Sequence, residues 1–194
     1  MRQPVVVGSA FVAKYPKGGG NFWVPLQYLR GLRDLGHDAY WLEVLASTGD
    51  DAVDAMFIET FLARARELDI AQSTVLVFYP DGLDVPGRRV VHGMDGRDLD
   101  AVCRDALLLN LVGSLNASLR QPFPRTILFD LDPGLFQIWA NQWGLGVGEH
   151  DVHLTIGQHL GAPDCPIPLG GIDWHKTWPA VHLPSWPRVH EPGQ

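Results

Sequence analysis

Short apolar runs alternate along the chain with stretches whose apolar residues recur at helical spacing. Val5 to Gly8 is strand-like, and Phe22, Leu26, Leu29, Leu32 and Leu35 then mark one face of a helix with Pro25 near its first turn and Gly36 at its stop. Asp38 to Glu43 reads as a second strand. Asp51 to Leu68 reads as a second helix, with Asp50, Asp51 and Asp54 at its positive dipole end and Val53, Phe57, Phe61 and Ala65 at fourfold spacing. Thr74 to Tyr79 and Arg89 to His92 are strand-like and separated by Pro80-Asp81-Gly82 and Pro86-Gly87, which predicts a hairpin or excursion. A short helix over Asp98 to Asp105 precedes the nearly continuous apolar run Leu107 to Gly113, as expected of a central parallel strand. Arg125 to Asp130 predicts a buried strand, Pro133 to about Trp143 a helix, and Val152 to Ile156 a further strand.

This alternation predicts an α/β fold: a Rossmann-like, doubly wound, mainly parallel sheet with helices on both faces. The pattern breaks after Gly161. Seven of the fifteen prolines lie between Pro163 and Pro192, among Trp174, Trp178 and Trp186, and repeated X-Pro steps prevent a regular helix or central strand. The expected organisation is a domain over 1–161 and an extended Pro/Trp-rich tail or interdomain linker over 162–194, lying across the domain or leaving it. The tail ends at Glu191-Pro192-Gly193-Gln194 without another periodic element.

In open α/β sheets ligands collect beyond the carboxyl ends of the strands, where the winding direction reverses. That rule selects the loops at 9–21, 113–118, 130–134 and 157–166. The first of these contains Lys17-Gly18-Gly19-Gly20-Asn21, whose glycines leave backbone N–H groups uncovered beside a helix N-terminus. These five residues are the candidate site for phosphate or another anion, although the spacing is neither GxGxxG nor GxxxxGK[ST]. Ser114 and Asn116 follow the central strand, and His159 lies in the last loop, so all three fall within these candidate loops.

Composition narrows the partners. A net charge of −7 with no Lys/Arg-rich run gives no support for a nucleic-acid surface. No window approaches the ~18 apolar residues of a membrane span, so a cytoplasmic protein without an integral membrane segment is expected. Cys103 and Cys165 have no CxxC spacing, and His150, His153, His159, Asp164 and Cys165 match no zinc signature, so no metal site is assigned. Ile127 to Gly134 carries Asp130-Leu131-Asp132 and looks like the first motif of haloacid-dehalogenase-type phosphatases, but Pro133-Gly134 stands where Gly-Thr should follow. Asp132 also fits as a cap for a helix starting at Pro133.

Lys17-Gly18-Gly19-Gly20, followed by Leu29 through Leu35-Gly36-His37 and the strand to Glu43, resembles the N-terminal half of GT-B glycosyltransferases. Phe129-Asp130-Leu131-Asp132-Pro133-Gly134 through Trp139, Ala162 to Pro168, and Gly171-Ile172-Asp173-Trp174 look like poorly characterised bacterial GT-B-like proteins. The resemblance implies the acceptor-side half of a two-domain cleft, with transfer from a nucleotide-sugar requiring a donor-binding C-terminal domain absent from this chain; the expected protein partner is that separate domain or, in a homo-oligomer, a second copy of the chain. It implies a small-molecule acceptor in a cleft that includes Ser114, Asn116 and His159, no tightly bound cofactor, Lys17 to Asn21 near the donor phosphates, and Asp132, Asp130 or His159 as catalytic base. The alternative expectation is a non-catalytic Rossmann-like module that binds an anionic small molecule or a protein partner.

Overall fold

The computed structural model describes residues 3–83, 88–94, 98–143 and 145–187. Its strands are β1 (Val5–Ser9), β2 (Ala39–Ala46), β3 (Thr74–Tyr79), β4 (Val90–Gly93), β5 (Leu107–Leu111), β6 (Arg125–Asp130), β7 (Val152–Thr155) and β8 (His175–Lys176). The α-helices are α1 (Gly19–Asp34), α2 (Asp51–Glu67), α3 (Leu99–Asp105), α4 (Ala117–Arg120) and α5 (Leu135–Trp143). All eight strands form one sheet in the order β4-β3-β2-β1-β5-β6-β7-β8, parallel throughout except for the β3/β4 edge pair. The winding reverses between β1 and β5, so the topological switch point lies over the ends of those two strands.

Alternation along the strands sorts the core into two layers. Val7, Trp41, Leu45, Leu76, Leu109 and Phe129 face α1 and α2. On the other face Val6, Val44, Val77 and Leu108 meet α3 and the α4 loop, and Leu128 meets Phe136 of α5. Trp41 is completely buried, with ring centroids 4.8 Å from Phe22 of α1 and 5.2 Å from Phe61 of α2. The Rossmann-like, doubly wound, mainly parallel architecture expected from the apolar periodicity is the one observed.

Helix ends follow local chemistry. Asp50 caps α2 by accepting from the amides of Ala52 and Val53, as its place at the dipole end suggests. Gly36, at φ 80°, ends α1 in a Schellman turn: its amide donates to Arg33 O, and the His37 amide to Leu32 O. The start of α1 differs from expectation. The helix begins at Gly19, so Pro25 lies in the second turn, where its missing N–H leaves the carbonyl of solvent-exposed Asn21 without its helical donor. In the β3/β4 pair Gly93 has φ 88°, and a Cβ there would stand 2.4 Å from Thr74 O. The predicted Pro86-Gly87 turn and the terminal Glu191–Gln194 segment lie outside the described residues.

The proline-rich segment stays on the domain over its described length. Ile172 and Trp174 pack against α5, and His175–Lys176 then adds to the sheet beside β7. From Thr177 the chain crosses to α1. There Ala180 N donates to Tyr28 Oη at 3.3 Å, Arg30 Nη1 donates to Ser185 Oγ at 2.7 Å, and Trp186 stands 5.0 Å from Trp23 between ring centroids.

The Trp41 cluster joins α1, β2 and α2, so Phe61→Ala should cost about 3–5 kcal/mol of unfolding free energy in urea denaturation. A loss below about 1 kcal/mol would show that the cluster does not hold the two helices to the sheet.

Candidate functional site

The loop after β1 is fastened from below. Glu43, at the carboxyl half of β2 and 0 % exposed, stands in register with Ser9. Its Oε1 accepts from the amides of Val12 (2.7 Å) and Ala13 (2.9 Å), and its Oε2 accepts from Ser9 Oγ, which itself accepts from Trp41 Nε1 at 2.9 Å. Burial dominates over these hydrogen bonds and raises the carboxyl from its ordinary 4.5 to about 7.

Beyond this staple, Gly18 caps α1 without any side-chain hydrogen bond, and no acid stands in the first turn. Positions where Gly19 and Gly20 would carry Cβ atoms face open space. The amides of Gly19, Gly20 and Asn21 have no acceptor among the described residues, so the positive end of α1 is uncovered. Lys17 is exposed beside it. Arg64 of α2 lies over the Phe22 ring, 4.2 Å from its centroid, and its Nη1 donates to Pro16 O (3.4 Å) and Gly18 O (3.3 Å). It thus turns these carbonyls inward and adds a second cation, which its place on a regular helix did not disclose in the sequence.

The β5 loop is held in the same manner. Asn110 accepts from Leu115 N at 3.0 Å and donates to Leu115 O at 3.1 Å, enclosing a turn in which Val112 and Gly113 take φ 48° and 62°. For β-branched Val112 that conformation is strained. Ser114 Oγ is buried without a partner among the described residues, whereas Asn116 caps α4 through Leu119 N at 3.1 Å.

His150 backs this loop. Its Nδ1 lies 3.2 Å from Val147 O, which as acceptor fixes the Nδ1–H tautomer and leaves Nε2 to accept from Asn110 Nδ2 (3.0 Å) and Arg120 Nη1 (3.3 Å). Burial, with the Arg120 charge second, lowers its pKa from 6.5 to about 4. His153 lies with Nε2 2.7 Å from the same Val147 O. Among the described residues no three His, Cys, Asp or Glu side chains converge to hold a metal ion.

The two aspartates of the β6 loop differ sharply. Asp130 is 0 % exposed, and its carboxylate accepts from Gln137 Nε2 (2.6 Å), Thr155 Oγ1 (2.7 Å) and Asp132 N (2.9 Å). Asp132 is exposed. It does not cap a helix from Pro133: α5 starts at Leu135, and Gln137 Oε1 takes the Gly134 amide at 2.6 Å. His159 is also exposed and pairs with Asp164 at 3.1 Å. Lys17 to Asn21 therefore form one continuous surface, while Asp130 and Asn116 are engaged in holding their own loops.

Between α1 and the returning tail, beyond the ends of β6 and β7, lies a crevice of about 380 Å³ that Gly20, Trp23, Tyr28 and Leu131 help to line. Burial raises the Tyr28 hydroxyl pKa. No helix among the described residues is long and apolar enough to cross a membrane. No protein-family model, curated protein or solved structure matches the chain.

Glu43 and His150 oppose each other in pH. Folding raises the Glu43 pKa, so its contribution to stability is lost as pH rises from 4.5 to about 7; folding lowers that of His150, so its contribution is lost as pH falls from 6.5 to about 4. Between pH 4.5 and 6.5 the two slopes offset, whereas the lowered carboxyls of Asp54 and Asp151 act below their ordinary 3.8. In urea denaturation across that window Glu43→Gln should gain stability with rising pH relative to the parent, and His150→Gln should lose it. Parallel profiles for all three proteins would refute the assignment.

Proposed function

We propose that the chain is the acceptor-side half of a GT-B-like glycosyltransferase, completed by a donor-binding domain. The observation that carries this reading is the uncovered start of α1 at the carboxyl edge of the sheet, flanked by Lys17 and Arg64. Helix-terminal amides and two cations favour a phosphate-bearing group there. In this reading a nucleotide-sugar brought by the second domain places its phosphates against Gly18 to Asn21, and the acceptor enters along the loops after β5, β6 and β7. Asp132, the exposed carboxylate beyond β6, is then the candidate base that takes the proton from an acceptor hydroxyl.

Asp130 has another role in this scheme. With both oxygens held by protein donors and no exposed surface, it positions the loop that presents Asp132. The same enclosure disfavours the phosphatase reading, which needs that carboxylate open for attack on phosphorus. It also lends support to a second reading, a non-catalytic module that binds an anionic small molecule at α1.

Calorimetry with nucleotide-sugars, nucleoside diphosphates and inorganic phosphate tests the site. Lys17→Ala should weaken nucleoside diphosphate binding about tenfold, or about 1.4 kcal/mol. Gly19→Asp, whose side chain enters open space, should abolish that binding while adding about 0.3–1 kcal/mol of stability through the helix dipole. Binding that both variants leave unchanged overturns the α1 site. Transfer measured with a matching donor domain and lost in Asp132→Asn separates the transferase from the module.

A further inference from the structure

Helix α5 is apolar all round but packs on one side only. Within Leu135–Trp143 just Phe136 and Gln137 are buried, whereas Leu135, Ile138, Trp139 and Trp143 stay 40 to 59 % exposed. Leu145 and Leu169 extend this surface, half-exposed around a cavity of about 330 Å³ on one flank of the helix. The outer face of α2 offers the contrast: it carries exposed Asp51, Glu59 and Glu67, as a helix facing water does. A helix with apolar residues on every side belongs in an interior, so the outer face of α5 calls for a cover that the chain does not itself supply among its described residues.

Charge narrows what that cover is. No charged residue stands between Asp132 and Glu149, nor in the loop from Pro166 to Ile172, although the whole chain carries a net charge of −7. Two copies therefore meet here without opposing like charges, which holds for few other surfaces of so acidic a protein. A lipid surface fits poorly, because no Lys or Arg lies between Arg125 and Lys176 to meet anionic headgroups. A donor domain over the carboxyl edge fits poorly as well: α5 runs back from that edge toward the amino end of β7, which carries Trp143 and Leu145 away from it.

Size agrees with a second copy. The six apolar side chains expose on the order of 500 Å², and the exposed amides of Asn141 and Gln142 with the uncharged loop form a neutral rim toward the roughly 800 Å² per partner of a specific interface. Trp139 and Trp143 stand 5.7 Å apart between ring centroids with planes inclined by 31°, a pre-formed aromatic pair of the kind that anchors the centre of an interface.

We propose that the outer face of α5 joins two copies of this chain in a twofold dimer, with Trp139 and Trp143 at its centre and the same patch contributed by each copy. The interface goes beyond the transferase reading and does not rest on it: nucleoside diphosphate titration reads Lys17 and α1, whereas association is read through α5.

Sedimentation velocity of the full chain at micromolar concentrations tests the proposal, and a dimer is the expected species. Trp139→Glu places like charges on the two meeting faces and should weaken association at least a hundredfold, with the circular dichroism of the parent retained. Met56→Glu, at an exposed position of α2 outside the face, should leave association unchanged. If Trp139→Glu does not fold, Ile138→Lys makes the same test. A monomeric parent, open-ended assemblies larger than a dimer, parent-like association in the α5 variant, or equal weakening in Met56→Glu overturns the interface. So does co-sedimentation of the parent, but not of the α5 variant, with phosphatidylcholine vesicles, which would give the face to lipid.

Discussion

The carboxylate of Glu43, buried at 0 % exposure under the β1 loop, is the constraint from which the geometry of the carboxyl edge follows. It takes two backbone amides and a serine hydroxyl, and so fixes where the chain leaves β1 and where α1 begins. The raised pKa shows that desolvation outweighs these three donors. Apolar replacements of Glu43 would fill the volume but leave the Val12 and Ala13 amides unpaired.

Two further strands follow the same design. Asn110, in β5, grips both backbone groups of Leu115, and Asp130, the last residue of β6, gathers Gln137, Thr155 and the Asp132 amide. Each of the three loops at the edge is thus held by a buried polar side chain from the sheet below. What remains for a ligand is backbone and periphery: the bare start of α1, Lys17, and the exposed Asp132. A rigid floor with an open glycine-lined rim suits recognition of an anion by amides, because close approach requires that no side chain intervene.

The layered fold was legible because it rests on local periodicity. β6 has the limits that its apolar run predicts, and α2 begins at Asp51 as expected and ends at Glu67, one residue short of the predicted Leu68. Lys17 to Asn21 were legible as well, since glycines before a helix need no distant partner to leave amides bare. Glu43 closed the predicted second strand and drew no role; β2 in fact runs on to Ala46, and the partners of Glu43 lie 30 to 34 residues away, where nothing local identifies them. The aspartate pair invited a catalytic reading for both members; the enclosure of Asp130 depends on Thr155, 25 residues on, which sequence spacing does not reveal. Pro25 misplaced the start of α1 because a proline in a second turn is tolerated when the orphaned carbonyl faces water.

The tail was the least legible element, and its contacts explain an oddity of α1. On a helix covering a sheet, the side away from the sheet normally faces solvent, yet Gln27 is buried there. Trp23, Gln27, Arg30 and Asp34 lie on one helical stripe, and each meets the tail: Trp186, the His182 amide, Ser185 Oγ, and His182 Nε2 at 2.9 Å, respectively. These partners are 148 to 163 residues apart in sequence, so no local pattern could pair them. Repeated prolines keep the segment extended, which lets it reach from β8 across to α1, but they also prevent it from packing as a helix would. An irregular strap with one 3-10 turn at Leu183–Ser185, fastened at polar points over an aromatic surface, encloses space instead of filling it. The crevice is therefore a consequence of composition: the residues that make the tail long and stiff are the ones that leave room beneath it.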